Sequence, residues 1–131
     1  MRRFLKLPQF LRWLACALGL VWLWDGASKA GAAPEVLIVS GLHGQPVYGA
    51  EIEATAKLWT EAAKRGGHTV QHIAPGAGPQ LPRLQTALAA VPSDSTDPFW
   101  LVLLGHGSAQ GKTPKFQLEG PDLSAEELAP N

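Results

Sequence analysis

From Glu35 onward the apolar positions switch between two periods. Val36-Leu37-Ile38-Val39 is an unbroken apolar run closed by Ser40-Gly41, which predicts a strand buried on both faces. Between about Tyr48 and Arg65, apolar side chains recur at Ile52, Ala56, Trp59 and Ala63, with Thr55 and Ala62 alongside, and this spacing predicts a helix. Glu51 and Glu53 in its first turns and Lys64 and Arg65 in its last suit the helix dipole, and Gly66-Gly67 stops it. Thr69 to Ile73 alternates and ends at the breaker run Pro75-Gly76-Ala77-Gly78-Pro79, giving a second strand. Leu81, Leu84, Leu88 and Val91 mark a second helix, and Phe99 to Leu104 a third strand that stops at Gly105-His106-Gly107-Ser108. Beyond it, Gln110 to Leu123 is punctuated by Gly and Pro, with a short hairpin around Lys115-Phe116-Gln117-Leu118. Ser124 and Glu127 then spell a capping box that opens a further helix.

The order β-α-β-α-β predicts an α/β fold in which right-handed crossovers lay helices on both sides of a parallel sheet. The fold class is therefore a partial doubly wound, Rossmann-like, three-layer sheet of about three strands. Doubly wound folds usually have five or six strands, and here the last predicted helix has barely begun at Asn131. The expectation is an incomplete domain over residues 33–131, the N-terminal part of a longer design: a fragment, a truncated or frameshifted reading frame, or a degenerate copy.

Charge changes the picture at the N-terminus. The 131 residues carry 11 basic and 11 acidic side chains, but Arg2, Arg3, Lys6, Arg12 and Lys29 precede Ala33 against one acid, Asp25. The basic stretch runs into Trp13 to Trp24, an uncharged segment of the length of a signal-peptide core. It is too short to span a bilayer, which takes roughly 20 residues. Ala30-Gly31-Ala32 supplies a small-residue cleavage site, so residues 1–32 are predicted to be a signal peptide. The body would then be exported, to the periplasm or the medium, without stable membrane insertion once cleaved. Cys16 is the one cysteine, so the exported body would hold no disulfide and no thiol nucleophile. The balanced net charge gives no reason to expect a nucleic-acid partner, and four scattered histidines make no recognisable metal site; no cofactor is implied.

In an open parallel sheet, ligands and catalytic groups gather beyond the carboxyl ends of the strands. Two histidines fall there: His43, in Ser40-Gly41-Leu42-His43-Gly44, and His106, in Gly105-His106-Gly107-Ser108. Glycines on either side of His106 allow a sharp turn that presents its imidazole, a group able to act as base and acid near neutrality. Read on spacing alone, an incidental histidine in a Gly-rich turn accounts for His106 as well, and more readily for His43. His68 and His72, four residues apart on or beside an internal strand, suit a surface or satisfied-core role.

WLVLLGHGS, an apolar run delivering His106-Gly107, resembles the histidine motif of clan CD cysteine peptidases, the superfamily of caspases, legumains and gingipains. From Glu35 to Leu128 the body is similar to bacterial secreted caspase-like proteins, in the opening VLIVSG and in GKTPKFQLEGPDLSAEEL after the histidine. The resemblance implies a caspase-like sheet, His106 as general base, a Gly107 backbone N–H turned to an oxyanion, and a peptide or protein substrate for a complete form. The superfamily's nucleophilic cysteine lies on the next strand, beyond the helix opening near Ser124, and no such cysteine is present. This chain alone is therefore expected to be inactive. Two other families share pieces of the pattern. Leu42-His43-Gly44-Gln45-Pro46 is similar to the oxyanion loop of α/β-hydrolases, although Ser108 sits one place late for their nucleophile elbow. GHGS also resembles the opening of sirohydrochlorin chelatases, where the motif follows the first strand. A non-catalytic secreted binding module or a remnant remains the non-enzymatic alternative.

Overall fold

The computed structural model describes residues 33–109 and 113–128; the predicted leader, with Cys16 and Ala30-Gly31-Ala32, lies outside the described residues. Strand β1 (Val36–Ser40) is followed by helix α1 (Pro46–Arg65), β2 (Val70–Ile73), α2 (Gln80–Ala89) and β3 (Trp100–Leu104). The three strands form one parallel sheet in the order β2-β1-β3, the α/β architecture the periodicity predicts. Its register runs Val36 opposite Val70 and Trp100 through Ser40 opposite Leu104.

All five residues of β1 are buried. Its alternation sends Leu37 and Val39 to one face, where they meet Leu81, Leu84 and Ala87 of α2. Val36 and Ile38 go to the other face and meet Ala56 and Ala63 of α1. The helices therefore lie on opposite sides of the sheet, and α1 comes in close because its buried stripe is small: Gly49, Ala56 and Ala63. Trp59, which the spacing sets in line with these residues, is 40% exposed. Residues 52, 56, 59 and 63 share one face of the helix, where the small Ala56 and Ala63 are buried and the larger indole is left partly in solvent.

Helix α1 starts earlier than the spacing predicts, at Pro46, whose fixed φ suits a first helical position. Glu51 thus falls beyond the first turn, which holds no acid. Gly67, with φ +82°, turns the chain out of the helix as expected, and the His68 N–H donates to the Ala63 carbonyl at 3.0 Å. Among the described residues β2 and β3 are both edges of this sheet, so His72 does not lie on an internal strand as expected. Among the described residues no helix is long and apolar enough to cross a membrane.

The segment after β3 departs most from expectation. Residues 107–124 contribute three two-residue strands, β4 (Gly107–Ser108), β5 (Lys115–Phe116) and β6 (Leu123–Ser124), in an antiparallel sheet with β5 in the middle. The hairpin expected around Lys115 to Leu118 is wider than the spacing suggests: Lys115-Phe116 pairs antiparallel with Leu123-Ser124, and on its other side with Gly107-Ser108. Half of the capping box forms, with the Ser124 N–H donating to Glu127 Oε2 at 2.6 Å, but the helix it opens is a single 3₁₀ turn over Glu126–Leu128.

Candidate functional site

The chain runs from β1 to β2 on one side and then returns past β1 to β3 on the other. This order places a topological switch point between the carboxyl ends of β1 and β3, where the loops part and leave a crevice. The loop after β1 carries His43, and the residues after β3 carry His106. Although 63 residues apart, they meet here, with His106 Nε2 3.2 Å from the His43 carbonyl oxygen.

The carbonyl is aimed by the chain around it. The Gln45 N–H donates to the same oxygen at 2.7 Å, across Gly44 at φ +66°. An i to i+2 hydrogen bond around a positive φ is a tight γ-turn, which a residue with a Cβ adopts only with strain. A carbonyl oxygen only accepts, so the neutral His106 ring carries its proton on Nε2, and its Nδ1 lone pair has no partner among the described residues. Tyr48, in the first turn of α1, stands edge-to-face against the imidazole, with ring centroids 5.1 Å apart and planes at 77°.

His43 takes part through its main chain. Its ring rests on Gly49, where a Cβ would come within 2.9 Å of Nδ1. This accounts for a glycine inside a helix, where it costs about 1 kcal/mol against alanine. One turn of α1 thus touches both histidines, Tyr48 the ring of His106 and Gly49 the ring of His43.

The glycines around His106 serve a different purpose from the one expected. Gly105 and Gly107 both have ordinary negative φ, so neither is needed for a left-handed turn. Gly105 instead lies under the Phe116 ring, where a Cβ would sit 3.0 Å from Cζ, and Gly41 opposite lies so close that a Cβ would collide with the Gln117 carbonyl oxygen. Two glycines at the ends of neighbouring strands let β5 cross the end of the sheet. Gln117 fastens the crossing: its N–H donates to the His106 carbonyl at 2.9 Å and its carbonyl accepts from the Leu42 N–H at 3.1 Å. Because residues 106 and 117 form the hydrogen-bonded pair, antiparallel alternation turns the N–H of Gly107 away from β5.

Gln80, which the sequence did not single out, is the other organiser. It is fully buried, with Nε2 donating to the Ser40 carbonyl at 2.7 Å and Oε1 accepting from the Glu119 N–H at 2.8 Å. Glu119 in turn accepts from the Gly76 N–H at 2.7 Å. The carboxyl ends of β1 and β2 and the 117–120 segment are thereby held as one unit.

The remaining histidines lie elsewhere. His72 Nε2 is 2.8 Å from Ser40 Oγ, and burial lowers its pKa from 6.5. Ser40 is only 2% exposed, so its hydroxyl is closed to a substrate, while the His72 ring that covers it lies on an exposed position of the edge strand. His68 Nδ1 lies 3.4 Å from Glu35 Oε2 at the amino end of the sheet, away from the crevice. Ser108 lines an apolar cavity of about 430 Å³ with Leu103, Phe116, Leu123 and Leu128. Of these signals, Gly44 is part of the His43 motif in the sequence and Gly49 falls within the predicted helix, whereas nothing in the sequence points to Gln80 or Tyr48. Comparison with protein-family models, with curated proteins and with solved structures returned no match.

Proposed function

We propose that this chain is the histidine-bearing half of an exported caspase-like cysteine peptidase, with His106 as general base and the Gly107 N–H facing the oxyanion. The observation that carries the reading is the tether at the switch point: Nε2 of His106 is held by the His43 carbonyl, which leaves Nδ1 to take a proton from a nucleophile. The outer edge of β3, unpaired among the described residues, offers the place for a next strand, where the resemblance puts the thiol. Cys16, the single cysteine of the sequence, belongs to the predicted leader, so the acyl-enzyme route has no nucleophile in the exported body.

Peptidase assays test this directly. The 131-residue chain is expected to show no turnover, and a form carrying the cysteine-bearing strand is expected to be active and blocked by thiol reagents. In that form His106→Ala should lower kcat/KM by about 10²- to 10⁴-fold, the usual worth of a general base. Turnover by the short chain that resists thiol reagents and is lost in Ser108→Ala would replace the reading with a serine hydrolase. Export is checked by intact mass: protein recovered from the periplasm or medium should begin at Ala33.

A further inference from the structure

The segment that opens α1 meets the His106 imidazole at two points, and Gln45 joins them. The Gln45 N–H donates at 2.7 Å to the His43 carbonyl oxygen, the same oxygen that faces His106 Nε2. The Gln45 carbonyl accepts from the Tyr48 N–H at 3.1 Å and from the Gly49 N–H at 3.3 Å. The acceptor that tethers the imidazole and the phenol ring that stands against it are therefore registered to each other through the main-chain groups of one residue. Pro46, which follows Gln45 at the start of the helix, has a fixed φ and takes further freedom out of this link.

The imidazole needs a second hold. Its chain neighbours, Gly105 and Gly107, bring no side chain to it. Gly44 brings none either, although a Cβ there would lie only 4.0 Å from His106 Cδ2. One hydrogen bond at 3.2 Å fixes a single ring atom, Nε2, and leaves the plane of the ring to pivot about it. Tyr48 removes that freedom. With centroids 5.1 Å apart and planes at 77°, the two rings have the geometry that aromatic pairs favour. A change of the His106 rotamer would give up this contact and re-aim Nδ1.

We propose that Tyr48 is the positioning residue for His106: its ring, registered to the His43 carbonyl through Gln45, holds the imidazole in one rotamer and so aims Nδ1. The consequence for catalysis rests on the reading of His106 as a general base; the restraint on the ring is measurable without turnover. The contact is ring against ring, so Tyr48→Phe should preserve it and Tyr48→Leu should remove it. Tyr48 is 43% exposed and leucine is a good helix former, so neither change challenges the fold.

Three-bond couplings from His106 Cγ to its own backbone nitrogen and carbonyl carbon, measured on the isotope-labelled 131-residue chain, read the χ1 populations. Wild type and Tyr48→Phe should show one rotamer. Tyr48→Leu should show averaged couplings, with Tm and the amide signals of the sheet unchanged. In the form carrying the cysteine-bearing strand, Tyr48→Leu should lower kcat by about two- to tenfold, the worth of such an aromatic pair, at an unchanged KM, and Tyr48→Phe should keep the wild-type rate. The proposal is overturned if His106 keeps a single rotamer in Tyr48→Leu, if Tyr48→Phe averages it as well, or if the averaging comes with a fall in Tm and shifts spread through the sheet. A change in KM at constant kcat would overturn it too. Averaging confined to His106 in Tyr48→Leu, with no turnover by the thiol-bearing wild type, would instead remove the peptidase reading and leave Tyr48 as the residue that orients the imidazole.

Discussion

At His72, burial favours the neutral ring, so the unfolded chain binds a proton more readily than the folded one near pH 6.5. The sign follows from linkage: the stabilisation from this ring is fully present above pH 6.5 and is lost as pH falls through that value toward the lowered folded pKa. Glu35 works in the same direction at lower pH. Its carboxylate accepts the Thr69 N–H at 2.7 Å, and that bond, with His68 nearby, holds its pKa below 4.5. Its contribution is present above pH 4.5 and disappears as the group protonates. Thermal melts from pH 7.5 to 5 should therefore show Tm falling in the wild type and falling less in His72→Gln, which retains a partner for Ser40. A flat Tm over that range would contradict the assignment. His106 is expected to behave differently: nitrogen-detected NMR should find its neutral ring protonated on Nε2. Its half-buried position predicts that His106→Ala shifts stability by no more than about 1 kcal/mol.

Among the elements, α1 and β5 show what the sequence could and could not say. The helix was legible because twenty residues repeat a small apolar stripe often enough to fix a period, and its final glycines are true stop signals. The spacing sets Trp59 on the same stripe, but it does not say how much of an indole is left in solvent where the small side chains meet the sheet. β5 was illegible because two residues carry no period. Its place is set by distant contacts, the slot at Gly41 and Gly105 and the bonds of Gln117. The same distinction explains the site. His106 could be found because an apolar strand points to it, whereas the His43 carbonyl, Tyr48 and Gln80 act through proximity across the sheet end, which no local pattern records. These contacts have measurable weight. Gly41→Ala, which sets a Cβ against backbone, should cost about 1 to 3 kcal/mol in chemical denaturation. Gly49→Ala should be nearly neutral in stability, since gained helix propensity of about 1 kcal/mol offsets displacement of the His43 ring. It should nevertheless shift the imidazole signals of both histidines. Gln80→Leu leaves the Ser40 carbonyl and the Glu119 N–H without their buried partner, and a loss of roughly 2 kcal/mol or more is expected.

At the scale of the sheet, both outer strands are edges among the described residues, and Trp100 stands 55% exposed at the start of one of them. An uncharged apolar edge strand invites pairing with other chains. Trp100→Lys should accordingly leave Tm within a few degrees while raising the concentration at which light scattering first detects association; unchanged scattering would show that association starts elsewhere. The union of His43 and His106 has a wider consequence. Each sits a few residues past one of two strands that share a five-residue parallel register. A slip of one residue between β1 and β3 would displace the two loops by about 3.3 Å and exchange the faces of every side chain on the shifted strand. The hydrogen bond of His106 is no longer than that displacement, so it closes in one register only. The imidazole thus works as a vernier on the sheet: its proton position reports whether two strands, separated by most of the fold, have met at the correct residue.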